Sequence, residues 1–316
     1  MKQTKIWLWA VLLGLLAFTA CTELNTPIAQ PVTTPVSTNT PEPPTATPSP
    51  TPEPQAALVN GQPLLLADYE REVALYAASM AAAGQDVTTP EGQAALAQGR
   101  ELVLEMLINQ LLIEQAANAA GVTVSDEELD ATIATLRAET GEEAFQQWLV
   151  DQGMSLEDFR KRLRSDTIAT RMANRAVENV PTHAEHVHAR HILANTEAEA
   201  RQILSQLQAG GDFVSLARTY SQDVSTRDTG GDLGFFPKGI LTAPEVEAAA
   251  FALQPGQISD VIQSSMGYHI VQVLERVPDM EIDPENLRLL REKASREWIE
   301  ELRAAANIQR FVSFKP

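Results

Sequence analysis

The chain has 316 residues, 44% of them apolar and only 5% aromatic, with a formal net charge of −18. That length leaves room for one to three domains and an ample core. An acid excess of this size repels phosphate backbones and excludes nucleic acid as a partner, and the abundance of Ala, Leu, Glu and Arg leans the fold toward helix.

Lys2 and Lys5 make a short basic start, followed by an apolar run of 13 residues, Ile6 to Phe18. The run is too short to span a bilayer and suits the apolar centre of a signal peptide. Phe18-Thr19-Ala20-Cys21 follows and resembles a bacterial lipobox. Residues 1–20 are therefore expected to be a lipoprotein signal, with Cys21 the lipidated residue that anchors the protein to the cell membrane. Cys21 is also the sole cysteine, so no intrachain disulfide can form. The stretch 21–56 holds ten of the 19 prolines and few large apolar residues. Such a Thr/Pro-rich chain cannot bury a core and reads as an extended stalk, which at about 3.1 Å per residue reaches on the order of 100 Å.

Folded sequence is expected from Ala57. A short strand, an Asn60-Gly61 turn and a helix from about Asp68 come first. Thr89-Pro90-Glu91 opens a long helix that ends at Gly121, with Leu102, Met106, Leu107, Leu111 and Leu112 at helical spacing. Ser125 and Glu128 form a capping box for the next helix. A helix near Glu142–Val150 and another after Ser155 complete a helical domain over 57–180. Pro181 marks a boundary, and 184–278 reads as a compact α+β unit with a small sheet: a strand through His191, two helices, a glycine-rich turn, a third helix and two strands. Asp283-Pro284 then caps a long helix with Leu287, Leu290, Ala294, Trp298, Ile299 and Leu302 on one face. Residues 281–316 are expected to pack back on the N-terminal helical domain, which makes the α+β unit an insertion.

Five blocks in order carry the chemistry: "ARHIL", "YSQD", "GGDLGFF", "EAAAFAL" and "GYHI". Together they resemble the parvulin, or rotamase, family of peptidyl-prolyl isomerases. The flanking arrangement is similar to the PrsA-type foldases and the SurA chaperones. The resemblance implies a membrane-anchored extracytoplasmic isomerase and foldase without a cofactor. Its partners would be unfolded or nascent secreted polypeptides with X-Pro bonds, and a second copy of the chain in a homodimer. It implies that His191 and His269 pair at the floor of the site, with Asp223 and Ser264 beside them. Leu233, Leu241 and Met266 match apolar pocket positions, with Phe236 beneath. Val246 stands where the family carries Phe in "PEFE", and "KGILTAPE" is one residue longer than the common form. Val246 implies a shallower pocket and, with it, reduced activity.

Other readings compete. His183, His186, His188 and His191 cluster in sequence, but alternation along a strand puts the last three on no single face, so a metal site is not expected. No basic cluster follows His191, so no phosphoserine-proline preference is expected. The alternative function is a non-catalytic holdase, in which the parvulin-like unit only binds peptide or mediates dimerisation. A solute-binding lipoprotein would share the anchor but need two large α/β lobes, for which the chain has no pattern.

Overall fold

The computed structural model describes residues 53–313. Cys21, the signal segment and the stalk up to residue 52 lie outside the described residues. The chain divides into two compact units: one comprises residues through Ala169 together with those from Leu302 onward, and the other is Thr170–Glu301.

In the first unit, β1 (Gln55–Val59) and β2 (Gln62–Leu65) form an antiparallel hairpin. Its turn is Asn60-Gly61, with both residues at positive φ (52° and 82°), as the tight hairpin turn requires. Five helices follow: α1 (Leu66–Ala82), α2 (Pro90–Ala119), α3 (Asp126–Thr140), α4 (Glu142–Asp151) and α5 (Leu156–Ala176). Their starts follow local chemistry. The Thr89 hydroxyl accepts the Gly92 N–H at 3.1 Å with Pro90 at the first position of α2, and Ser125 with Glu128 closes a reciprocal capping box on α3. The face of α2 differs from the expected one. Leu102 and Met106 are 65% and 50% exposed, and the core side is built by Val103, Leu104, Ile108, Leu111 and Leu112. From Leu102 to Ile113 three residues of every four are apolar, which satisfies helical spacing in more than one register, and packing against β1 and Tyr69 selects the register.

The C-terminal segment closes this unit with a strand that periodicity did not reveal. β7 (Ile308–Arg310) pairs antiparallel with β1, giving the order β2-β1-β7. Asn60 ties it in: its N–H donates to Asn307 O and its Oδ1 accepts the Asn307 N–H, both at 2.8 Å. Leu302, Ala306, Ile308 and Val312 pack on the core of β1, α1 and α2, and the Arg303 and Arg310 guanidiniums both bond to Glu105. Three residues make too short a run for a period-two signal.

The second unit is built on an antiparallel sheet of order β4-β3-β6-β5. Its strands are β3 (His183–Ala194), β4 (Asp232–Pro237), β5 (Ile262–Ser264) and β6 (Gly267–Glu281). On one face α6 (Glu197–Gln208) and α7 (Phe213–Tyr220) cover Ile192, Ala194 and Ile270 with Ile203, Phe213 and Leu216. On the other, α8 (Pro244–Ala252) covers Val187, Ala189, Val271 and Val273, joined by Phe236 and Val246. The last helix, α9 (Pro284–Ala305), starts where the Asp283 carboxylate accepts the Asn286 N–H at 3.0 Å. Its residues up to Glu301 group with this unit, and its last turn and β7 group with the first.

Ending the chain after Ala306 removes Ile308, Val312 and the pairing partner of β1. The expected result is a loss of about 2–5 kcal/mol of stability in the first unit, with a bare edge on β1 that promotes association. Urea unfolding with size-exclusion chromatography checks both.

Candidate active site

The site grows from the register of β3 and β6. His191 stands opposite Val271 and Leu193 opposite His269, so the histidines are diagonal neighbours two residues apart on one face. That face is the α8 side, where Ala189, Val271 and Val273 continue as core. His191 is 6% exposed and His269 fully buried, with their rings nearly parallel and their Nδ1 atoms 3.3 Å apart. A buried polar ring needs partners, and both find them. His191 Nε2 lies 2.7 Å from Asp223 Oδ2 and 3.2 Å from Thr226 Oγ1. His269 Nε2 lies 2.7 Å from Ser264 Oγ, which also accepts the Met266 N–H at 3.0 Å.

Asp223 is set by the segment after α7. Ser221 closes that helix, its N–H donating to Ala217 O at 2.9 Å, and its hydroxyl accepts the Leu193 N–H. The Asp223 carboxylate then accepts the Ser225 N–H at 3.0 Å, the Ser225 hydroxyl at 2.6 Å and the Thr226 hydroxyl at 2.6 Å. Burial works against its charge, but the bonds from Ser225, Thr226 and His191 outweigh it and hold the carboxyl well below the usual range. Ionised, Asp223 can only accept, so His191 Nε2 carries a proton toward it.

His269 is pushed the other way. Burial, with the neighbouring His191 adding to it, lowers its pKa to about 4, against the weaker pull of Asp223 and Glu245. It is neutral at pH 7 and has one N–H to give. With a single proton on His191, at Nε2, the His269 Nδ1–H donates to His191 Nδ1 and His269 Nε2 accepts the Ser264 hydroxyl.

The glycine-rich run supplies the approach of β4. Gly230 and Gly231 have φ of 79° and 82°, and Gly231 O accepts the His191 N–H at 2.8 Å. A Cβ on Gly231 would stand 2.0 Å from His191 O, so only glycine lets the turn pass this close to the histidine strand. From there β4 carries Leu233, partly buried, and Phe236, buried at 2% exposure. Met266, in the hairpin between β5 and β6, is 49% exposed, and Tyr220 and Val224 beside Asp223 are also exposed.

The structure brings His191, Asp223, His269 and Ser264 into one hydrogen-bonded line. Leu233 and Leu241 are partly buried over the Phe236–Val271 cluster. Val246, expected as a pocket wall, lies on α8. It is 2% exposed and belongs to the buried cluster of Val187, Phe236, Val271 and Val273, against which Leu233, Ile240 and Leu241 pack. The neighbouring histidines diverge. His186 is buried with Nδ1 3.0 Å from Ala184 O, and His188 Nε2 lies 2.7 Å from Asp232 Oδ1. Among the described residues no group of three or more His, Cys, Asp or Glu is placed to hold a metal. Ser225 and Thr226 were missed in the sequence, although hydroxyls two and three residues after an Asp are a recognisable turn-forming pattern.

A four-stranded antiparallel sheet with a buried histidine pair, an aspartate beside it and a glycine turn against its strand defines a parvulin-type domain. The family models agree. Residues 182–275 match the family described as PPIC-type PPIASE domain, and residues 2–173 match the SurA-like N-terminal domain. Foldase protein PrsA of Halalkalibacterium halodurans is 32% identical over 229 residues, covering 65% of this chain and 68% of that protein. Foldase protein PrsA 2 of Bacillus cereus is 35% identical over 157 residues, covering 48% of this chain and 54% of the relative, so the match spans about half the length of that relative. A crystal structure of peptidylprolyl isomerase (PrsA) from Bacillus anthracis is 29% identical, with a TM-score of 0.42, covering 63% of this chain and 93% of its own. This chain belongs to the PrsA foldase family, and in it the SurA-like match is followed by the PPIC-type match.

The lowered pKa of His269 gives stability a pH dependence. A ring that resists protonation when folded contributes fully above its unfolded pKa of 6.5 and loses that contribution as pH falls toward about 4. Urea unfolding at pH 7 and pH 5 is expected to show lower stability at pH 5, and His269→Asn to flatten that difference.

Proposed function

We propose that the protein is an extracytoplasmic peptidyl-prolyl cis/trans isomerase and foldase for secreted polypeptides, tethered through a lipid on Cys21. The observation that carries the reading is the buried His191–His269 pair, held at one end by Asp223 and at the other by Ser264, beside the apolar surface of Leu233 and Leu241. Rotation about an X-Pro amide faces a barrier of about 18–20 kcal/mol set by resonance, and no bond to a cofactor is needed to cross it. At the twisted amide the resonance, and with it part of the carbonyl dipole, is lost. An apolar site therefore favours the transition state over the planar ground state.

In this reading Leu233 and Leu241 hold the proline ring, with Met266 at the rim and Phe236 and Val246 as the layer beneath. The Ser264–His269–His191–Asp223 line keeps fixed polar groups beside the rotating carbonyl. Its burial means that no water need be reordered as the amide turns. Among the described residues no helix is long and apolar enough to cross a membrane. In this reading the lipid on Cys21 serves as the tether, and a homodimer would place two such sites on one client.

A second reading rests on the first unit. Leu102 and Met106, one turn apart on α2, expose apolar surface, as does Val150 on α4. Such positions suit transient contact with unfolded chains, so a holdase activity independent of the histidines is expected alongside, or in place of, catalysis.

Three measurements test these readings. Exchange spectroscopy on an Ala-Ala-Pro-Phe peptide should show acceleration above background. His191→Ala or Asp223→Ala should lower it by about tenfold or more, or ~1.4 kcal/mol of transition-state stabilisation. Suppression of aggregation of an unfolded client should survive His191→Ala. If turnover is absent while that suppression persists, the holdase reading replaces the isomerase one. Cys21→Ser should move the full-length protein from the membrane to the soluble fraction, and an unchanged distribution would remove the tether.

A further inference from the structure

Apart from the histidine line, the most constructed feature of the second unit is the loop between β4 and α8. Glu247 lies in the first turn of α8 and its side chain turns back on that loop. One carboxylate oxygen accepts the Gly239 N–H at 2.8 Å, and the other accepts those of Ile240 and Leu241 at 3.0 and 3.1 Å. Three consecutive backbone donors converge on one acidic side chain, an arrangement known from anion-binding nests. The loop has no strand or helix to satisfy these donors, so each would otherwise need water or go unpaired.

The loop is confined from its other side as well. Gly239 has φ of 96°, and a Cβ there would lie 2.9 Å from Leu290 Cδ2 on α9. Gly239, Glu247, Phe251 and Leu290 line a cleft of about 780 Å³ behind the loop. Leu241, at the loop's far end, packs partly buried against the cluster that holds Val246 and Phe236. A loop without strand or helix pairing has many conformations from which that of Leu241 must be selected.

The geometry points to Glu247 as a positioning residue that fixes Leu241 for contact with the substrate's proline ring. Glu247 does not touch substrate. It acts by removing the freedom of residues 239–241, so that the apolar surface is preorganised before peptide arrives. The substrate in this inference rests on the isomerase reading, whereas the latch stands on its three hydrogen bonds.

Glu247→Gln keeps the size of the side chain but leaves one acceptor oxygen and sets an NH2 against a backbone N–H. In the full chain, with the Ala-Ala-Pro-Phe peptide as probe, KM is expected to rise about tenfold while kcat changes less than twofold. Leu241→Ala should do the same, and the double variant should be no worse than Leu241→Ala alone, because both act through one side chain. In the wild-type protein the amides of 239, 240 and 241 should be protected from hydrogen exchange, and Glu247→Gln should release all three. Unprotected wild-type amides, an unchanged KM, or losses that add independently would each overturn the proposal. If the wild type shows no turnover, the isomerase reading fails by itself. Peptide affinity by NMR titration then decides: about tenfold weaker binding by Glu247→Gln sustains the positioning role, and unchanged affinity removes it.

Discussion

Everything in the candidate site depends on the antiparallel pairing of β3 with β6. The two strands register from His183 opposite Glu281 to Ala194 opposite Tyr268, and that ladder brings together histidines 78 residues apart in the chain. A slip of one residue would turn one ring to the α6 and α7 face, where Ile192 and Ile270 now pack. Register is thus specified by apolar residues on both faces, and the histidines take their places as members of one alternating row. Their position is a consequence of core packing, which explains how two rings can be held buried with little freedom.

Burial then dictates the chemistry of the polar line. A buried imidazole resists a charge, which lowers the pKa of His269, while the hydroxyls and N–H groups around Asp223 make its ionised form the favoured one. The two effects oppose one another along a single hydrogen-bonded path, from an obligate acceptor at Asp223 to a hydroxyl at Ser264. That gives the line direction: a proton lies between His191 and Asp223, and the neutral His269 joins His191 to the Ser264 hydroxyl. Glycine at 231 belongs to the same design, because the β4 turn delivers Leu233 to the site only by passing against the His191 carbonyl.

The two units use the chain differently. The α+β unit is closed by local pairs and by a sheet whose strands all lie between residues 183 and 281. The first unit is closed by residues more than two hundred positions away, where β7 joins β1 and Arg310 bonds to Glu105. The insertion of one unit in the other follows from this: the chain leaves the first core, builds the second, and returns to complete the edge it left open. An unpaired β1 edge would otherwise invite association.

The sequence by itself determined the parts whose signal is local. Thr89-Pro90, Ser125 with Glu128 and Asp283 mark helix starts, because caps are set by neighbours three residues away. Asn60-Gly61 announces the hairpin turn, and the order of the ARHIL, YSQD, GGDLG and GYHI blocks, which carry His191, Asp223 and His269, announces the α+β unit. Only the tertiary structure decided the rest. It chose which side of α2 is buried, since Leu102 and Met106 fit helical spacing as well as Val103 and Leu104 do. It set Val246 among the buried residues of the sheet's α8 face, because burial depends on neighbours far along the chain. It added β7, too short to carry a period, and it revealed Glu247, whose three partners are backbone N–H groups that every non-proline residue possesses. A side chain that binds backbone leaves no trace in the identities of its partners, and that is why the latch on Leu241 is visible only in three dimensions.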